Sequence, residues 1–259
     1  MTGYYEIAPA RSVGPAFQLA RFVVVLLAVT GLAFRYEFLA VPDFLHVCAV
    51  ALALLAAAAL FWVHAFLQVW RKGRPGGRRL TEALALLLVA FIPFGYSATQ
   101  AVRYPELNDV TTDRSDPPVF FAIDAVPRGA GAHRPGPVSP QAARQNEAYP
   151  EITGRRYPAS PDVVIEEIDK LIDADGWTHV HRSGSPDAGD EVSIEGLVRT
   201  TILRFPADIV VRLTDEGDST YVDMRSASHY GRHDLGDNAR HIARFLSDLD
   251  AAMLARAGV

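Results

Sequence analysis

Cysteine is almost absent from these 259 residues: Cys48 is the only one, and it lies inside an apolar run. The rest of the chain therefore has no disulfide, no cysteine nucleophile and no zinc site built on paired cysteines, so its stability must come from packing alone. An excess of positive charge is missing too. Residues 103–259 carry 17 Lys/Arg against 26 Asp/Glu, a side-chain charge of −9, which would repel phosphates and rules against a nucleic-acid partner. No HExxH or similar helical ligand pair occurs, so nothing in the spacing enforces a metal centre. There is also no internal repeat and no line of intramembrane charges, which leaves a transport pathway without support. No cofactor is implied.

Long apolar runs are what the first part does have. Residues 16–34 contain one charge, Arg21, near an end where it can snorkel to an interface; residues 44–70 carry Trp62 and Trp70 towards one end; residues 80–101 hold Glu82 early and Pro93 with Gly95 late, where a kink or an end is expected. Each is long enough to cross a bilayer, so residues 1–102 are read as a three-helix membrane region. The intervening "RKGRPGGRR" (71–79) has five basic residues and no acid, which places that loop in the cytoplasm by the positive-inside rule. With three spans the amino terminus is then cytoplasmic and everything after residue 102 is extracytoplasmic, as in a multi-pass protein of a bacterial inner membrane. A cleaved signal peptide in place of the first span is the alternative; no small-x-small cleavage site follows it. Glu82 and His64 are ionisable groups within spans, which would matter if the helices serve as an assembly module for other membrane proteins.

Residues 103–153 are broken by prolines and glycines without sustained period, and are expected to be an irregular wrapping or linking segment. Asp109, Asp113 and Asp116 lie within it. They read as Asx-turns and caps rather than as a calcium loop, whose spaced ligands and glycine are missing. A compact α+β domain is expected over 154–259. "RRYPAS" gives a short extended stretch, and 160–176 a helix with Ser160 as cap, Pro161 in its first turn and Gly176 as terminator. "WTHVHRS" (177–183) alternates, setting Trp177, His179 and His181 on one face. Residues 191–205 continue as a strand, "FPAD" reads as a turn or bulge, and 209–215 and 219–230 form a hairpin about the turn "DEGD". A last helix runs from about 235 to 254, with Asp234 as N-cap and Asp237 as its capping partner. The sum is a curved antiparallel sheet of about four to five strands with two helices on one face.

Taken in order, "LNDVTTD", "DPP", "RRYPASPD" followed by Trp177, "FPADIVVRL" and "DMRSASHYGRHDLGDNARHIARFL" resemble the domain-of-unknown-function 1499 family over about residues 104–250. The resemblance implies bacterial or plastid proteins that often carry membrane spans or a lipid anchor. It implies no activity and no catalytic residue.

The densest candidate region is 224–246. Met224, Ser226 and Ser228 should share one strand face, and Arg225, Ala227 and His229 the other. Three uses compete for it. A hydrolase or metal-dependent site would be centred on Ser228, His229, His233 and Asp234, with His179 or His181 as further ligands. A structural corner would use Gly231 and Gly236 for the turn and Asp234 as cap, with Arg225, Arg232 and Arg240 pairing with Asp109 and Asp113. A binding site would recruit Arg225, His229, Arg232 and His233 around the helix N-terminus to meet an anion such as a headgroup or carboxylate. The favoured reading is a non-catalytic envelope domain that binds a lipid, a small amphiphile or a protein partner, in the lipid case within an apolar cleft between helix and sheet.

Overall fold

The computed structural model describes residues 10–122, 128–136, 142–185 and 191–258, and the chain divides into two compact units, 1–99 and 100–259. Three helices, α1 (Val13–Arg35), α2 (Val41–Lys72) and α3 (Gly77–Arg103), are long and apolar enough to cross a membrane. Small residues let them approach closely: Ala20 with Val23, Ala51 with Leu55 and Ala58, and Leu87 with Ala90 form one cluster. Leu32, Leu60, Leu88 and Ile92 point outward, as lipid-facing residues do. Trp62 donates its indole N–H to the Leu80 carbonyl at 2.8 Å, tying α2 to the first turn of α3. The interruption expected at Pro93 does not end α3, which continues to Arg103. A proline removes one helical hydrogen bond, and the flanking turns carry the helix past it.

The second unit is α+β. After β1 (Asp109–Thr111) come α4 (Ala142–Ala148), β2 (Arg155–Tyr157), α5 (Pro161–Ala174), β3 (Thr178–Ser183), β4 (Val192–Arg199), β5 (Pro206–Asp215), β6 (Thr220–Ser228) and α6 (Asp237–Ala257). The curved sheet is antiparallel in the order β1-β6-β5-β4-β3, with β2 sharing the outer edge of β6 with β1. Helices α5 and α6 cover one face. Their apolar stripes (Val164, Ile168 and Ile172; Ile242, Phe245, Leu246 and Leu249) meet Ile194, Ile209, Val211, Leu213, Val222 and Met224 in a single core. Trp177 stacks at a tilt on Phe245, with ring centroids 4.8 Å apart.

Local chemistry explains most of the boundaries. Pro161 opens α5 after Ser160, whose hydroxyl makes no cap bond, and Gly176 turns left-handed at φ 66 just beyond it. Other expectations shift. A bulge between His179 and His181 breaks the alternation of β3; Trp177, just before the strand, is buried, while both histidines are exposed. The turn before β5 is Thr200–Phe205, closed by the Thr200 hydroxyl accepting the Phe205 N–H at 2.9 Å. Pro206 starts the strand, where its missing N–H costs little, so of "FPAD" only Phe205 lies in the turn and the other three residues belong to β5. Within the stretch expected to be irregular, β1 joins the sheet and α4 supplies the buried Gln145. Its carboxamide accepts the Thr111 N–H at 3.1 Å and donates to the Thr111 carbonyl at 2.6 Å, acting as a substitute strand along the edge of β1.

Phe245→Ala is expected to destabilise this unit by about 3–5 kcal/mol, read by denaturant unfolding of the full chain in mild detergent. A second expectation concerns pH. Burial, with Nδ1 unpartnered among the described residues, holds His241 below the usual imidazole range. Unfolded histidine titrates near about 6.5, so just below that pH the unfolded chain binds more protons and stability falls as the solution is acidified. His241→Leu should flatten that part of the stability curve; an unchanged curve would remove His241 as its source.

Candidate functional site: a charged layer beneath a strap

The face of the sheet away from α5 and α6 is charged and nevertheless buried. Alternation places Glu195 on β4, Asp208 and Arg212 on β5, and Asp223 and Arg225 on β6 on this face, with Arg212 directly opposite Asp223 and Arg225 opposite Val210. Residues 112–122 and 128–136 lie over it as a strap, and each charge is met by that strap or by a neighbouring strand.

Arg225, wholly buried, is the centre. Its Nε and Nη2 donate to the two oxygens of Asp109 at 2.9 and 2.7 Å, Nη1 donates to the Pro118 carbonyl at 3.2 Å, and Nη2 also reaches the Gly136 carbonyl at 2.8 Å. The Phe120 ring lies 5.3 Å from the guanidinium carbon. Arg212 binds the Asp116 carboxylate at 2.9 Å and Asp223 at 3.0 Å. Asp223 also accepts the Thr112 hydroxyl at 3.1 Å, yet burial pushes its carboxyl above the ordinary range. Glu195 accepts the N–H groups of Phe121 and Ala122 at 2.7 and 3.1 Å. Asp208 is held between His229 Nε2 at 2.8 Å and Arg128 at 2.6 Å, all three buried; since a carboxylate only accepts, Nε2 carries the proton.

The sequence-derived candidates separate on this frame. Ser226 and Ser228 face α6, where Asn238 is the hub: it accepts from Ser226 Oγ at 2.7 Å and donates to Ser228 Oγ and to the Asn108 carbonyl, both at 3.0 Å. His229 lies on the opposite face, so it cannot serve Ser228 as a base. Asp234 accepts the N–H groups of Gly236 and Asn238 at 2.8 and 3.0 Å. His233 accepts the Leu235 N–H at Nδ1 and donates from Nε2 to the Ala101 carbonyl at 3.2 Å. The hydrolytic or metal constellation of Ser228, His229, His233 and Asp234 therefore does not converge. Among the described residues no cluster of three or more His, Cys, Asp or Glu could hold an ion.

The corner 230–238 is held by its own groups. Gly231 adopts φ 83 and Gly236 φ 80, and a Cβ on Gly236 would come within 2.8 Å of the Tyr104 ring. α6 starts at Asp237, two residues later than expected, because Leu235 and Gly236 are both left-handed. The N-cap position is thereby Gly236 and not Asp234, whose carboxylate reaches the Asn238 N–H from upstream, and Asp237 pairs with Arg240 instead of closing a capping box. These bonds occupy the N–H groups that an anion would need. Of the arginines, Arg225 pairs with Asp109, but Arg232 is exposed and pairs with Glu106 at 3.1 Å. Asp113 lies 3.7 Å from Arg212 and forms the Asx-turn, accepting the N–H groups of Ser115 and Asp116. Sequence reasoning missed Asp208, Arg128, Glu195, Gln145 and Asn238. The available signal was charge at alternate positions within apolar strands: 208 and 212, 223 and 225. A shallow groove of about 500 Å³ also runs along β3 and α5, lined by Asp169, Asp173, His179, Val180, His181 and Arg182.

Fold and site together define a class: a strapped antiparallel sheet backed by two helices, carried on a chain with three helices long and apolar enough to cross a membrane. Residues 109–249, more than half of the chain and running from β1 into α6, match the family described as "Protein of unknown function (DUF1499)", and the chain belongs to that family. No match emerges among curated proteins. Among solved structures it is similar to the vertebrate conserved region of human METTL16, at 17% identity over 34% of this chain and 73% of that one, with a TM-score of 0.26.

Arg225→Met should destabilise the unit by about 3–5 kcal/mol, because it strands the buried Asp109 charge. Adding Asp109→Leu should recover most of that loss in the same unfolding assay. An R225M protein as stable as the parent would show that the pair does not anchor the strap.

Proposed function

We propose that this is an integral membrane protein of a bacterial inner membrane, with its amino terminus in the cytoplasm and residues 103 onward outside it, whose exported domain recognises a partner in the envelope without transforming it. One observation carries the non-catalytic reading: the reactive side chains of the sheet are engaged with the strap or with α6, on opposite faces. Arg225, His229 and Asp208 hold the strap, while Ser226 and Ser228 hold Asn238. The basic loop 71–79 supports the orientation.

The helices and sheet share one buried apolar core, and we place recognition on the outer surface rather than in an internal lipid cleft. A protein partner or the membrane surface suits this better than an enclosed amphiphile. Alkaline phosphatase joined after Val259 should be active and the same reporter inserted after Arg74 inactive; the reverse pattern would overturn the orientation. Mass spectrometry of material co-purified in mild detergent should find a protein or surface lipid in stoichiometric amount. Turnover by the purified chain that Ser228→Ala abolishes would restore the hydrolase reading.

A further inference from the structure

One end of the sheet carries an exposed apolar turn with arginines around it. The Thr200–Phe205 turn between β4 and β5 carries Ile202, 73% exposed, next to the exposed Arg204 at φ 61. A single exposed isoleucine is ordinary on a protein surface; its position distinguishes this one. His229 donates its N–H to the Pro206 carbonyl, Ser228 to Asn108 and Asp234 to Leu107, and His233 reaches Ala101. The turn therefore lies at the same end of the sheet where the chain arrives from the last turn of α3. Three strand spacings separate the two, on the order of 10–15 Å. Val102, in that last turn, is 90% exposed. Arg103, Arg199, Arg204 and Arg232 gather at this end, although the sequence from 103 onward is acidic overall; Arg232 is partly offset by Glu106.

We propose that the Thr200–Phe205 turn docks into the lipid–water interface of the membrane that α1–α3 cross, with Ile202 entering the acyl boundary and Arg199 and Arg204 meeting anionic headgroup phosphates. Apolar tips flanked by arginines bind interfaces in this way, by burying apolar area next to attracted anionic lipid. The proposal rests on the membrane insertion of the three helices and is independent of the side on which the domain lies.

The single cysteine makes the test direct. In a Cys48→Ser background, Ile202→Cys is labelled with an environment-sensitive fluorophore, and Asp218→Cys, in the exposed β5–β6 turn at the opposite end, serves as control. The full chain is placed in nanodiscs of equal parts phosphatidylcholine and phosphatidylglycerol. The I202C probe should emit to the blue of the D218C probe and be quenched by lipids bearing a nitroxide near the headgroup, and adding Arg204→Glu should reduce both effects. Emission and quenching equal to those of D218C would overturn the proposal. So would a blue shift that lipid nitroxides leave unquenched, since protein would then cover the turn. The phosphatase fusions report side and this measurement reports depth, so either can fail alone.

Discussion

The bidentate pair between Asp109 and Arg225 is the interaction on which the second unit depends. Asp109 opens β1, the first strand after α3, and Arg225 lies in the middle of β6, the last strand before α6. Their contact closes a loop of more than a hundred residues and fixes the beginning of the domain to its end. A guanidinium with no exposed surface is tolerable only because Asp109, Pro118 and Gly136 supply acceptors and Phe120 a ring face. Asp109 comes from β1, while Pro118, Phe120 and Gly136 come from the strap. Burial of Arg225 and closure of the strap are therefore one event: neither state is reasonable without the other.

The two faces of the sheet hold the fold in different ways. On the helical face, area is decisive: Phe245, Ile168, Ile209 and their neighbours leave water together, and the gain scales with the surface removed. On the strapped face, attraction between charges is largely offset by what it costs to desolvate them. Asp223 shows the balance, its carboxyl pushed up by burial even with Arg212 and Thr112 in contact. A layer of that kind adds little net stability, but it is selective. Only a segment with acceptors and an arginine at the right places, such as Asp116, Pro118 and Arg128, can cover this sheet without stranding a charge. That selectivity explains how a proline- and glycine-broken segment comes to have a defined course.

What could be read beforehand follows from the range of the forces involved. Helices α5 and α6 and the β3–β6 meander were legible because their signals are local: period, caps and the "DEGD" turn. The parity of 224–229 was legible too, and it already separated Ser228 from His229. The strap was not, since its order comes from partners far away in sequence, such as Phe121 on Glu195 and Pro118 on Arg225. The hairpin register contains a clue only once the loop is placed at 216–219, one residue later than the turn read from the sequence: Asp215 then pairs with Thr220 and Arg212 faces Asp223, and oppositely charged residues facing each other inside apolar strands announce a covered face. The bulge in β3 had no such signature: "THVHRS" alternates well as text, and only its pairing with Gly196 and Glu195 displaces it.

With both faces of the sheet covered, its exchangeable polar contacts are at the periphery. One sheet edge is closed by β1 and β2, with Gln145 pairing the outer side of β1. At the other edge β3 runs beside α5 above a groove of mixed charge, with Arg182 paired to Asp169 and His179 3.7 Å from Asp173. Side chains there are exposed and held by pairs that water already weakens, so a partner could exchange them at little cost. The strapped face is the reverse: exposing it would uncover Arg225, Asp208 and Asp223 together. Rigidity in the middle and exchangeable polar contacts at the rim suit the proposed recognition of a partner, and they follow from where the chain placed its charges.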